Sequence, residues 1–286
     1  MRSTISIGFL LMCLAAGCSV SPDRQERLTR GYVYYLDGAG GAGLVTNWSR
    51  GVRQGLIDAG YSGAGEVFVW QTQLGVVADQ DASVGYKRSK AAELARRIEG
   101  YSEEHPNAPV TIMGLSAGTS IAVFALEALP EDHPVENVVL LSSSVSSDYD
   151  LTNALKRVRG HIYVFTSERD SVLRFLVPVA GTADRRSGRV PSAGLRGFRT
   201  PQSRLPEVRE QYKKLVHIRW RSEFAAAGNL GGHTDVVKPK FVAAYVAPLI
   251  KTTERAGVVA LSPPVAARCP GPGLGMPLMV PGACVP

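Results

Sequence analysis

A serine stands two places from a glycine on either side in Gly114-Leu115-Ser116-Ala117-Gly118, between the apolar run Val110-Thr111-Ile112-Met113 and a helix-like stretch from Thr119 to Leu129. On a tight strand-to-helix turn a serine hydroxyl is pushed clear of the backbone, where a base can reach it, and nucleophilic attack on an acyl carbon is the chemistry such a turn serves. Gly114 and Gly118 suit that geometry, because strand and helix come close together there and leave no room for side chains beside the serine. The five letters also recur by chance as a glycine-rich turn with a capping serine, so the flanking strand and helix carry more weight than the letters.

A serine hydroxyl needs a base at neutral pH, and imidazole, with a pKa of about 6.5, suits the task. Of the 5 histidines, His105 and His133 fall in polar loops, His161 opens a strand and His217 lies inside one. His233 differs, sitting in Gly231-Gly232-His233-Thr234-Asp235 after the last strand-like segment. A carboxylate must then fix the tautomer of the base and stabilise the imidazolium. Asp170 is the first choice, because Thr166-Ser167-Glu168-Arg169-Asp170 follows directly on the strand His161–Phe165. Asp184 and then Glu168 are the alternatives, and the competing reading of Asp170 is a cap on a short helix that follows it.

Charge developing on the attacked acyl oxygen needs backbone donors, and losing one typically costs about 10²–10³ in rate. The amide of Ala117, directly after the serine, is one candidate. The other comes from the loop after the first strand, Asp37-Gly38-Ala39-Gly40, through either Gly38 or Ala39. A negative Asp37 beside an oxyanion works against it, so its side chain is expected to point away, into the following turn. The competing reading of this glycine run is a phosphate loop, which lacks the Gly-Lys-Ser/Thr ending here.

The elements that must hold these residues alternate along the chain. Strands are expected at Tyr32–Leu36, Glu66–Trp70, Val110–Met113, Asn137–Leu141, His161–Phe165 and Leu215–Trp220, with helices at Trp48–Ala59, Gly85–Tyr101, Thr119–Leu129, Leu151–Val158 and Lys240–Ile250. Such alternation calls for an α/β fold, a parallel sheet covered by helices on both faces, with ligand sites at the carboxyl ends of the strands. Ser116, Asp170 and His233 all follow strand ends. One domain over residues 31–260 is expected, preceded by a polar linker at 19–30 and followed by a Pro- and Gly-rich tail at 261–286. The stretch 182–206, rich in Arg, Gly, Ser and Pro, is the candidate cap or substrate loop.

The order Ser116, Asp170, His233, with the serine on its glycine-flanked turn, resembles the α/β-hydrolase family of serine esterases and lipases over roughly residues 31–250. The resemblance implies a mostly parallel central sheet with helices on both faces. It implies Ser-His-Asp acyl transfer to water through an acyl-enzyme, on a small-molecule or lipid ester, with no cofactor and no metal. The family often has His-Gly where this chain has Asp37-Gly38. That departure and the Arg-rich stretch from Arg185 to Arg209 motivate an alternative: a catalytically silent envelope protein that keeps the scaffold and docks an anionic surface.

Composition sets the remaining bounds. A chain of 286 residues with 45% apolar content has enough to bury one substantial core. The +7 formal charge gathers between Arg185 and Arg221 without interleaved stacking aromatics, which argues against a nucleic-acid partner. At the start, Arg2, an apolar stretch from Ile5 to Ala16 and then Ala15-Ala16-Gly17-Cys18 resemble the signal and lipobox of bacterial lipoproteins, although Leu14 falls one place early. This resemblance implies export, lipidation of Cys18 and attachment to a membrane of the cell envelope; an ordinary cleaved signal is the competing reading. The run is too short to span a bilayer comfortably. With Cys13 removed and Cys18 lipidated, Cys269 and Cys284 remain to pair in an oxidising compartment, closing a short loop for about 3 kcal/mol in the chain-entropy model.

Overall fold

A computed structural model describes residues 22–41, 47–186, 190–203 and 205–251. Cys18, Cys269 and Cys284, with the expectations placed on them, lie outside the described residues. Six strands, β1 (Tyr32–Leu36), β2 (Ala64–Val67), β3 (Val110–Leu115), β4 (Asn137–Leu141), β5 (Ile162–Thr166) and β6 (Leu215–Arg219), form one sheet in the order β2-β1-β3-β4-β5-β6. Every neighbouring pair is parallel. The helices around the sheet include α1 (Pro22–Thr29), α2 (Ser49–Asp58), α3 (Val76–Asp81), α4 (Val84–Glu104), α5 (Gly118–Ala128), α6 (Thr152–Lys156), α7 (Val177–Ala180), α8 (Ala193–Arg196) and α9 (Pro206–Tyr212).

Parallel strands are covered on both faces, which is why β3 and β4 are mostly apolar, apart from Thr111 and Asn137, and are buried at every position. Their period of two divides them between two cores. Tyr34, Leu36, Ile112, Val138, Leu140, Ile162 and Val164 face one core, closed by Leu94 and Ile98 of α4 and Ile121 and Phe124 of α5. Val33, Tyr35, Met113, Leu115, Val139, Leu141 and Phe165 face the other, closed by Val52 and Leu56 of α2 and by Phe241, Val242 and Val246 of the closing helical stretch. The chain leaves β1 for the edge strand β2, returns to β3 on the other side of β1 and then proceeds outward to β6. The reversal between β1 and β3 is a topological switch point, and the loops after these two strands diverge there.

The strand expected at Glu66–Trp70 is observed three residues earlier in its end, at Ala64–Val67. Phe68 and Trp70, just beyond the strand, are fully buried: Phe68 N–H still donates to Tyr35 O of β1 at 2.9 Å, and Trp70 turns its indole Nε1 to the carbonyl of Asp37 at 2.7 Å. The polar stretch before β1 includes a helix, α1, anchored where Arg27 donates to Gly63 O at 2.8 Å and Tyr101 to Leu28 O at 2.5 Å. Helix α3 was not foreseen; six residues following a glycine give too little periodicity to recognise. The described parts of 182–206 are knitted into the body beside β4. Ala183 N–H donates to Ser144 O, Ala193 N–H to Val145 O and Gly194 N–H to Ser143 O, at 2.7–2.9 Å.

Candidate active site

Ser116 follows β3 directly and has a φ of +51°, a left-handed conformation that is uncommon outside glycine. Its N–H donates to Leu141 O of β4 at 3.0 Å, and its carbonyl accepts from Thr119 N at 3.1 Å and from the Thr119 hydroxyl. The chain packs tightly on both sides of it. A Cβ on Gly118 would lie 2.5 Å from Leu36 O and 2.6 Å from Asp37 O, and one on Gly114 would lie 3.0 Å from Thr119 Cα. Ala117 stands at the head of α5, whose first amides have no intrahelical acceptor and carry the positive end of its dipole.

Beyond β5, Asp170 is fully buried, and its Oδ2 lies 2.8 Å from His233 Nδ1, which donates to it when the ring carries its proton there. Its other oxygen, Oδ1, accepts from Leu173 N–H at 3.0 Å at the start of the helical turns leading to α7. Asp170 thus caps a helix and holds His233 at once. Asp184 is occupied elsewhere, its carboxylate accepting from the Ser146 amide at 2.9 Å and from the Ser146 hydroxyl. Glu168 faces solvent and pairs with Arg196 at 2.6 Å.

The loop carrying His233 is pinned along its length. Gly231 O accepts from Ser167 Oγ at 2.8 Å, His233 O accepts from Ser142 Oγ at 2.9 Å, and Asp235 Oδ2 takes the amides of Gly232 and Leu230 at 2.9 and 3.0 Å. Burial opposes ionisation of Asp235, but the Lys238 ammonium and those two amides hold its carboxyl below the usual range. Ser142 directly follows Leu141, the residue whose carbonyl holds the Ser116 amide, so serine and histidine loops are tied to adjacent residues of one strand end. Ser116 Oγ itself makes no hydrogen bond to His233 among the described residues; such bonds commonly close only when substrate is bound.

On the other side of Ser116 lies the loop after β1. A Cβ on Gly38 would be 3.1 Å from Ser116 Cβ, tighter than most such contacts, so a glycine here lets the backbone lie close against the serine. Asp37 is buried and turns its carboxylate away: Oδ1 accepts from Ser49 N–H at 2.7 Å at the start of α2. The side chain points away from the serine as expected, but it reaches past the turn directly after it to the first amide of α2, twelve residues on, so helix α2 gains an anion at its positive end. Gly40 N–H donates to Asp79 Oδ2 at 2.8 Å.

The sequence reading missed Ser142, Gln71 and Asp79. Ser142 carried a signal, being the first of a polar run, Ser142-Ser143-Ser144, that ends an apolar strand; its φ of +45° did not. Gln71 and Asp79 belong to a segment with no recognisable period, and the contacts that tie them to the loop after β1 are with backbone atoms more than thirty residues away.

The site therefore occupies the switch point of a three-layer α/β fold, at the carboxyl ends of β1, β3, β4 and β5. No family model and no curated relative matches the chain. Solved structures do. An acetyl xylan esterase is 11% identical with a TM-score of 0.43, over 78% of this chain and 98% of the other. A cutinase-like protein from Cryptococcus sp. is 16% identical with a TM-score of 0.41, over 78% of this chain and 94% of the other. The thioesterase domain from a curacin biosynthetic pathway is 13% identical with a TM-score of 0.36, over 78% and 92%.

Proposed function

We propose that this chain is a serine hydrolase of the α/β-hydrolase kind, cleaving a carboxylic ester or related acyl bond through an acyl-enzyme. The observation that carries the reading is the buried Asp170 carboxylate 2.8 Å from His233 Nδ1, on a loop tied to the strand end that also holds Ser116. A carboxylate at Nδ1 keeps the proton there, leaving Nε2 free to act as a base. His233 Nε2 takes the Ser116 proton as Oγ attacks the acyl carbon, and the carbonyl oxygen gathers negative charge. The amide of Ala117, with Gly38 or Ala39 opposite, supplies donors for that charge. As the tetrahedral adduct collapses, His233 returns the proton to the departing alkoxide and an acyl-Ser116 ester remains. Water, deprotonated by the same Nε2, then releases the acid and restores Ser116.

The chemistry draws only on these side chains and amides. The lipobox-like Ala15-Ala16-Gly17-Cys18 supports an envelope lipoprotein, with Cys18 as the lipidated residue. A fluorophosphonate probe tests the nucleophile: Ser116→Ala should lose labelling and activity on short activated esters while melting as the wild type does. Full activity in that variant would sink the reading, and a folded wild type that never labels would favour a silent, surface-binding scaffold.

A further inference from the structure

The carboxamide of Gln71 is buried against the loop that faces Ser116, and its orientation is fixed. Its Oε1 accepts from Trp70 N–H at 3.2 Å, which leaves Nε2 to donate to two successive carbonyls, Gly38 O at 3.0 Å and Asp37 O at 3.3 Å. Trp70 Nε1 reinforces the second of these at 2.7 Å, and Gly41 N–H the first at 3.0 Å. A trans peptide is planar, and its N–H points opposite to its C=O. When the carbonyls of Asp37 and Gly38 face one nitrogen, the N–H groups paired with them in the same peptides, those of Gly38 and Ala39, are both directed to the side away from Gln71. Two successive amides presented on one side are the elements of an anion-binding nest.

The next amide in the chain is held apart from this pair. Gly40 N–H goes to Asp79, whose carboxylate is 1% exposed and whose Oδ1 binds Thr72 N–H at 2.7 Å and Thr72 Oγ1 at 2.6 Å. Gln71 and Asp79 lie in one short segment, so the loop after β1 is clamped on its carbonyl side by the first and at its far amide by the second. Neither residue touches the reacting atoms.

We propose that Gln71 is a positioning residue for oxyanion stabilisation: by holding the carbonyls of Asp37 and Gly38 it aims the amides of Gly38 and Ala39 at the acyl oxygen, with Asp79 fixing the turn behind them. This rests on Ser116 acting as the nucleophile. Both amides belong to the oxyanion site, which is why a choice between Gly38 and Ala39 is not required. The charge that they meet exists only in the tetrahedral adduct, so disturbing their aim costs kcat and leaves substrate affinity in place.

Gln71→Glu keeps the shape and the acceptor for Trp70 N–H but replaces the double donor with an oxygen that repels both carbonyls. Its kcat on a short activated ester should fall roughly 10- to 100-fold with KM within about twofold, less than outright loss of a donor because the amides remain present. Affinity for a trifluoromethyl ketone, which forms a charged tetrahedral adduct, should fall by the same factor as kcat/KM. If Gln71→Glu does not fold, Gln71→Met, similar in size and without donors, reads the same loss. A kcat within about twofold of wild type, or a fall carried by KM with adduct affinity unchanged, overturns the proposal. Ser116→Ala assayed in parallel separates the two failures: a dead Ser116→Ala beside a fully active Gln71 variant rejects only the role of Gln71, whereas an active Ser116→Ala rejects the nucleophile.

Discussion

Each oxygen of the Asp170 carboxylate answers to a different part of the chain, Oδ2 to His233 Nδ1 at 2.8 Å and Oδ1 to Leu173 N–H at 3.0 Å. Asp170→Asn keeps an acceptor for Leu173 but presents His233 with an NH₂ group when the amide is oriented for that cap. The ring must then accept at Nδ1 and carry its proton on Nε2, the wrong tautomer for a base. A fall of roughly 10⁴ in kcat is expected, with little change in melting temperature. Activity within tenfold of wild type would assign the acid role elsewhere, yet Asp184 is committed to Ser146 and Glu168 to Arg196. Ser142 works at the same scale through a main-chain atom, since its hydroxyl fixes the position of His233 O and not the chemistry of the ring.

At the scale of elements, the site depends on how closely β1, β3 and α5 approach. Gly118→Ala would push a methyl group against two main-chain carbonyls, Leu36 O and Asp37 O, at 2.5 and 2.6 Å. Backbone cannot yield as a side chain tip does, so a loss of about 1–3 kcal/mol in urea unfolding is expected, together with loss of probe labelling at Ser116. Unchanged stability would mean that α5 tolerates a looser elbow. Helix α4 contributes a second coupling through Lys87, which is fully buried and donates to Gln80 O, at the end of α3, at 3.2 Å and to Ala183 O at 3.1 Å. Burial, helped by Arg185, pushes the Lys87 ammonium down from 10.5 to about 8. Below that value folded and unfolded chains both hold the proton. Above it the folded chain releases the proton while the unfolded chain keeps it up to 10.5, so this group adds stability as pH rises through the window. The difference in urea midpoint between wild type and Lys87→Met should move in favour of the wild type across that range; a constant difference would show that Lys87 titrates normally.

Across the whole molecule, every loop of the site comes from the same end of a parallel sheet, and the segments that flank it carry exposed apolar side chains. Leu74, Val77 and Val179 are 80%, 82% and 89% exposed, and Phe175, Leu176 and Leu230 are exposed beside them in sequence or loop. These positions belong to the segments that buttress the site: Val76 packs on Gly40, the 172–180 segment follows Asp170, and Leu230 precedes His233. Gln80 Nε2 donates to Gly181 O at 3.0 Å and links two of them. On the proposed function, exposed aliphatics in the segments next to Asp170 and His233 suit an apolar acyl substrate presented at a surface. Val77→Asp combined with Val179→Asp should leave hydrolysis of short soluble esters intact and lower the rate on emulsified long-chain esters roughly tenfold, the equivalent of about 1.4 kcal/mol of lost apolar contact. Equal rates on both substrates relative to wild type would remove these exposed aliphatics from substrate recognition.

The sequence by itself determined the architecture and the order of the candidate chemistry. Five of the six strands were legible within a residue or two, because a strand buried on both faces leaves a mostly apolar run between turn residues. Gly114, Ser116 and Gly118 were legible as a motif. At Gly114 the crowding is with near neighbours, Thr119 and Gly118, whereas the carbonyls that crowd Gly118, those of Leu36 and Asp37, come from β1 and the loop after it and appear only in the tertiary structure. Tertiary structure alone decided which carboxylate meets His233, since Asp170, Glu168 and Asp184 all follow β5 and only packing buries Asp170 against the ring. It also decided that Asp37 turns into α2, and that Gln71 and Asp79 grip a loop more than thirty residues away. Those contacts run from side chain to distant backbone. A side-chain hydrogen bond of this kind leaves no periodicity and needs no particular neighbour in sequence, so its partner exists only once the sheet has brought the two segments together.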